Sequence, residues 1–260
     1  METMSQNPII DGRLDRTART PPRPALAWRR VAGTGPTLVF LPGYASDMAG
    51  SKACAILDWA AAHGRACILF DYAGCGQSDG AFADETLASW RDDALDILDT
   101  LVTGPVVLIG SSMGGWVMLL AALARADRVA GLIGIAAAPD FTQWGYSDAQ
   151  KAEMHRDGHL FEDNPYGPEP TLTTLPFWQS GEDNLLLGAP IPLDCPVRLL
   201  HGQADDDVPF SISITLAAQL RSAQVVTTLI KDGDHRLSRP QDIGLVIATL
   251  ESLLRSIESP

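Results

Sequence analysis

Residues 106–120 read VVLIGSSMGGWVMLL. A tight apolar run leads into a turn rich in small residues, and a longer apolar run follows. The first run is short and β-branched, as a buried strand is; the second is long enough for a helix buried on nearly every side. The turn between them contains Gly110-Ser111-Ser112-Met113-Gly114. A chain that leaves a strand and turns sharply into a helix presents one side chain at an exposed apex, and small residues two before and two after it avoid clashes. Ser112 has glycine at both positions. Ser111 would need glycine at 109 and 113, where Ile109 and Met113 stand. Ser112 is therefore the candidate nucleophile. Read without chemistry, the same residues make a tight βα turn with a capping serine.

The same alternation continues on both sides. Strands are expected at TLVFLPG (37–43), ACILFDY (66–72), VVLIG (106–110), VAGLIGIAAA (129–138), VRLLHG (197–202) and VVTTLI (225–230). Helices are expected at 48–63, 84–102, 113–126, 211–221 and 240–256. Alternating β and α with continuously apolar strands predicts an α/β fold, a mostly parallel sheet with helices on both faces. Ligands of such sheets bind beyond the carboxyl ends of the strands. Residues 140–190 break the rhythm. Phe141, Trp144, Tyr146, Phe161, Tyr166, Phe177 and Trp178 alternate there with prolines. That composition predicts an inserted lid, with Trp144, Phe177 and Trp178 as candidate substrate contacts.

A serine hydroxyl needs a base to take its proton, and the base needs a carboxylate to hold it. In this architecture the order is serine, acid, histidine. LLHGQADDDVP (199–209) follows one strand and offers Asp205, Asp206 and Asp207; LIKDGDHRLS (229–238) follows the next and offers His235. Asp205, nearest the strand that positions it, is the expected acid. His201, at a strand end before glycine, is expected to shape the turn that carries the acid. An oxyanion hole would take one backbone N–H from Met113 and one from Tyr44 in LPGY (41–44).

Other patterns carry less. His155 and His159 have the i, i+4 spacing of a metal pair, but no third ligand follows, and a solvated or lid-packing pair is the simpler reading. No metal site is expected. DYAGCGQSDG (71–80) is glycine-rich after a strand, yet its spacing is not that of a dinucleotide loop.

Composition sets outer bounds. The chain has 260 residues, 46% of them hydrophobic, and a formal net charge of −13, which disfavours a nucleic-acid partner. Its four cysteines, Cys54, Cys67, Cys75 and Cys195, form no C-x-x-C pair. No run predicts a transmembrane helix, so stable membrane insertion is not expected. Residues 1–24 lack a signal-peptide core, and Glu2, Asp11 and Asp15 argue against a transit peptide. They are expected to form a loosely packed tail ahead of one domain spanning 25–260. A cytoplasmic protein of bacterial type fits this reading.

FLPGYASDMAGSKA, ACILFDYAGCGQSDG, LIGSSMGGWVML, PIPLDCPVRLLHGQADDDVP and DHR together resemble the α/β-hydrolase family. Within it they resemble the abhydrolase-domain group of palmitoyl-protein thioesterases and acyl-glucuronide esterases. The resemblance implies an α/β-hydrolase fold and hydrolysis of acyl thioesters or acyl esters, without a cofactor, on a small molecule or an acylated protein. It places the family's serine on Ser112, its acid on Asp205 and its histidine on His235, and it makes the mitochondrial matrix the alternative compartment. Two rival readings stand beside it. A Ser-Asp-His set also serves lyases, cofactor-free peroxidases and peptidases, and a relict site can belong to a non-catalytic ligand-binding protein.

Overall fold

The computed structural model describes residues 7–165 and 167–258. Glu2, with the rest of residues 1–6, and Tyr166 lie outside the described residues.

In chain order the elements are β1 (Ile9–Leu14), β2 (Leu26–Val31), β3 (Thr34–Leu41), α1 (Ser51–Ala62), β4 (Arg65–Phe70), α2 (Leu87–Leu101), β5 (Val106–Ser111), α3 (Met113–Ala124) and β6 (Val129–Ile135). An excursion follows, with α4 (Phe141–Trp144), α5 (Asp148–Asp157), β7 (His159–Glu162), β8 (Thr171–Thr174) and α6 (Leu175–Glu182). The chain then returns through β9 (Val197–Gly202), α7 (Ser211–Gln219), β10 (Val225–Ile230) and α8 (Pro240–Glu258). Eight strands form one sheet in the order β1-β2-β4-β3-β5-β6-β9-β10. β1 pairs antiparallel with β2, and β2 antiparallel with β4; the remaining neighbours, from β4 to β10, are parallel. The sheet is thus mostly parallel, as expected.

The pleat of β5 explains why its whole run is apolar. Val106 and Leu108 join the hydrophobic cluster on one face, under α2 and α3. Val107 and Ile109 join the cluster on the other face, under α1 and α8. A strand buried on both sides needs no polar alternation. Each fully buried Val, Leu or Ile there contributes about 1.5–3 kcal/mol. A central strand of this kind is a rigid base for whatever follows it.

Two expectations are corrected. Within the expected loose tail of 1–24, the described part, residues 7–24, is tied down: β1 pairs along its length with β2, and Arg16 is only 3% exposed. Arg16 pairs with Asp93 at 2.5 Å and with Asp96 at 3.1 Å, and Arg23 reaches Asp93 at 3.0 Å. Mixed charge suggested a loose tail because its partners lie some 70 residues away on α2. β1 buries little of itself, with Ile9 and Ile10 exposed; it is held by backbone pairing with β2, by Asp11 pairing with Arg29 at 2.6 Å, by Arg13 donating to Gln77 O at 2.9 Å, and by Leu14 packing against the core. In the excursion, β7 and β8 form a small antiparallel hairpin that the proline-rich sequence did not suggest.

Candidate active site

The turn after β5 is shaped by steric necessity. A side chain at Gly110 would lie 2.4 Å from the Gly114 carbonyl oxygen, and one at Gly114 would lie 2.1 Å from that of Leu41. Ser112 between them takes φ 53° and ψ −125°, a left-handed conformation costly for a residue with a Cβ. Its backbone is pinned from both sides. The Ser112 amide donates to Ile135 O at 2.9 Å, and the Ala138 amide donates to Ser112 O at 3.0 Å. The surrounding sheet holds the strain, and Ser112 lines an open cavity of about 900 Å³.

The loops after β9 and β10 meet beside it. The Ala204 amide donates to Gly233 O at 3.0 Å, joining the two loops. His235 Nε2 lies 3.1 Å from Ser112 Oγ, and His235 Nδ1 lies 2.9 Å from Asp205 Oδ2. Asp205 Oδ1 accepts the amides of Asp207 at 2.9 Å and Val208 at 2.8 Å. Burial pushes the Asp205 carboxyl up. Hydrogen bonds from His201 and His235, the charge of His235 and the Val208 amide outweigh it and hold the group well below the usual carboxylate range. The arrangement can pass a proton from the serine to an imidazole kept in one tautomer by a buried carboxylate.

Tyr44 and Met113 also line the cavity. Met113 is the first residue of α3, where amides lack intrahelical partners. Among the described residues neither its amide nor that of Tyr44 donates to a protein acceptor. The Tyr44 ring is locked by edge contacts to Phe82, Trp90, Phe141 and Phe177, and its hydroxyl donates to Leu172 O at 2.7 Å. Burial holds that hydroxyl far above its ordinary range, so it stays a donor.

The lid residues divide. Trp144 lines the cavity, its indole N–H donating to Pro139 O at 2.9 Å. Phe177 and Trp178 do not line it. Phe177 is 1% exposed and packs on Trp90 and Tyr44 in the main core. Trp178 donates to Thr142 O and meets His155 edge-on. Phe141 and Glu162 line the cavity instead, as does Lys52. The Lys52 ammonium donates to the Arg236 carbonyl, and burial, with Arg236 nearby, pushes its pKa down to about 8.

The supposed metal pair separates. Gly158 caps α5 in the left-handed conformation, so His159 begins β7 and helical spacing no longer applies. Among the described residues, Asp205, Asp207 and His235 can bring ligand atoms within 4.8 Å of one another, two of them already bonded together. The loop 71–80 is tied by Asp71, which accepts the amides of Met48 and Gln77.

The model of the α/β-hydrolase fold matches residues 36–171. The human mitochondrial palmitoyl-protein thioesterase ABHD10 is 40% identical over 92% of this chain and 79% of its own. The chain belongs to the α/β-hydrolase family. It is a hydrolase enzyme. A solved structure of mouse alpha/beta hydrolase domain-containing protein 10 superposes on this α/β-hydrolase with a TM-score of 0.88 at 39% identity, covering 95% of this chain and 99% of that one. A crystal structure from Agrobacterium vitis S4 gives a TM-score of 0.89 at 37% identity, with 95% and 99% covered. Among the described residues of this hydrolase, no helix is long and apolar enough to cross a membrane.

Proposed function

We propose that the protein hydrolyses acyl thioesters or acyl esters through an acyl-enzyme on Ser112. The observation that carries this is the continuous chain Ser112 Oγ–His235 Nε2 at 3.1 Å and His235 Nδ1–Asp205 Oδ2 at 2.9 Å. His235 takes the serine proton as Oγ attacks the acyl carbon, then delivers it to the departing thiol or alcohol. The Met113 and Tyr44 amides receive the developing oxyanion, with the N-terminus of α3 adding its dipole. Water, activated by the same histidine, releases the acid. No cofactor enters these steps.

The thioesterase named among the relatives supports an acyl thioester substrate, as a small molecule or on a protein. A cavity of about 900 Å³, walled by Phe141 and Trp144, is roomy enough for an extended acyl chain. The relatives' mitochondrial names favour the mitochondrion over the cytoplasm as the compartment. The domain reading is one catalytic unit from 25–260 with a lid over about 140–190, to which the N-terminal strand is fastened. The decisive experiment measures turnover of thioesters and oxygen esters of graded chain length, an acyl glucuronide included. Fluorophosphonate labelling of Ser112 runs in parallel. Labelling with steady turnover is expected. A folded protein that neither labels nor turns over any of these esters is a binding protein instead.

A further inference from the structure

His201 is the most deeply buried titratable group in contact with the site, at 0% exposure, and no step above uses it. Its Nε2 lies 3.1 Å from Asp205 Oδ2 and 2.9 Å from Val208 O. Both partners are acceptors, so Nε2 carries the proton and donates to both. Its Nδ1 lies 2.7 Å from Ser213 Oγ, itself 1% exposed on α7. A neutral imidazole with its proton on Nε2 can only accept at Nδ1, so the Ser213 hydroxyl donates there. The ring therefore joins β9, α7 and both ends of the loop that holds the acid. It also donates to the same carboxylate oxygen that receives His235.

We propose that His201 is a positioning residue for the hydrolytic reaction, held in one tautomer by Ser213 and fixing the carboxylate of Asp205 where it meets His235. The relay runs Ser213, His201, Asp205, His235, Ser112. It rests on the triad reading above. Two donors share Oδ2, which limits how strongly that oxygen attracts the His235 proton. Removing one leaves more negative charge facing His235 and stabilises the imidazolium. The charged groups around it are Asp206 and Asp207 on the acid's own loop, Asp234 and Arg236 beside His235, and Lys52 from α1.

The test compares His201→Ala, His201→Gln and Ser213→Ala with Ser112→Ala and His235→Ala, using p-nitrophenyl ester kinetics across pH and thermal melting for each. His201→Ala should lose about 10- to 100-fold in kcat with little change in KM. The acid limb of its rate profile should move to higher pH, a displacement that a smaller active fraction would not produce. His201→Gln, which can still donate to Asp205, should recover most of the rate. Ser213→Ala removes only a hydroxyl and decides the matter if His201→Ala does not fold. It should lose a few-fold in kcat and move the limb the same way. Folded His201 and Ser213 variants with wild-type kcat and an unmoved limb overturn the positioning role. Activity surviving in Ser112→Ala and His235→Ala would instead overturn the triad reading itself.

Discussion

The two walls of the cavity are built on different principles. One is the carboxyl edge of the sheet, where Ser112, Asp205 and His235 stand on loops after β5, β9 and β10. The loops after β9 and β10 are bonded to each other, and β5 and β9 are almost wholly buried, while β10 is the half-exposed edge strand of the sheet. The other wall is the excursion from α4 to α6. It has its own small cluster of Tyr146, Met154 and Leu160, with Phe141, Leu175 and Trp178 packed against it. The sheet edge holds strain, visible in the left-handed Ser112, because neighbouring strands over-determine the backbone there. The lid is joined to the rest through the contact of Tyr44 with Phe177 and through Trp116, which donates to Asn184 O at 3.1 Å, and its two stems are tied together by Asp140, which accepts the amides of Leu186 and Leu187. A wall that must place atoms to fractions of an ångström grows from the core. A wall that must only fit a chain is built from a satellite.

Mutation should separate the walls by orders of magnitude. Ser112→Ala is expected to lower kcat by about 10⁵-fold or more, because triad members act as a unit. Ser111→Ala should retain most activity. The reverse pattern in a steady-state esterase assay would break the frame argument. Asp205→Asn should lower kcat by about 10³- to 10⁴-fold through a misplaced or wrongly tautomerised base. Asp206→Asn and Asp207→Asn should each cost under about 1 kcal/mol of stability and little rate. Because Asp205 is held below the ordinary carboxylate range, its ionised form stabilises the fold above about pH 4, and that contribution is lost as pH falls below it. The melting-temperature gap between wild type and Asp205→Asn should therefore close progressively below about pH 4.

Smaller effects sharpen the lid side. Phe177→Ala should destabilise by about 3–5 kcal/mol, as a fully buried aromatic does, and urea titration reads this directly. Unchanged stability with altered chain-length preference would return Phe177 to the cavity wall. Trp144→Ala should leave stability nearly intact and change kcat/KM for long acyl chains by only a few-fold. Each methylene seated against that wall contributes about 0.8 kcal/mol, roughly four-fold in kcat/KM. A Trp144→Ala loss as large as that of Asp205→Asn would collapse the distinction between the walls.

The sequence by itself determined the six parallel strands of the sheet, the elbow and the chain order of the candidate serine, acid and histidine, but not the antiparallel β1 and β2. β9 and β10 match their expected bounds of 197–202 and 225–230. Ser112 was legible because the elbow tolerates glycine alone at 110 and 114. Asp205 and His235 were legible because each follows a strand whose apolar run is unmistakable. These are local constraints, written in neighbouring residues. Tertiary structure alone decided what depends on distant partners. The charges of residues 13–23 suggested a tail, and only the approach of α2 turned Arg16 into a buried ion pair with Asp93 and Asp96. Trp144, Phe177 and Trp178 carry the same apolar signal, yet one faces the cavity and two do not. An aromatic side chain satisfies a core or a cavity wall equally well, and the packing of α6 on α2 and α4 chose between them. His201 showed its place at a strand end, but not that Ser213 would arrive from the next helix to fix its proton. Hydrogen bonds between groups far apart in sequence have no period to read; they exist only once the chain has closed.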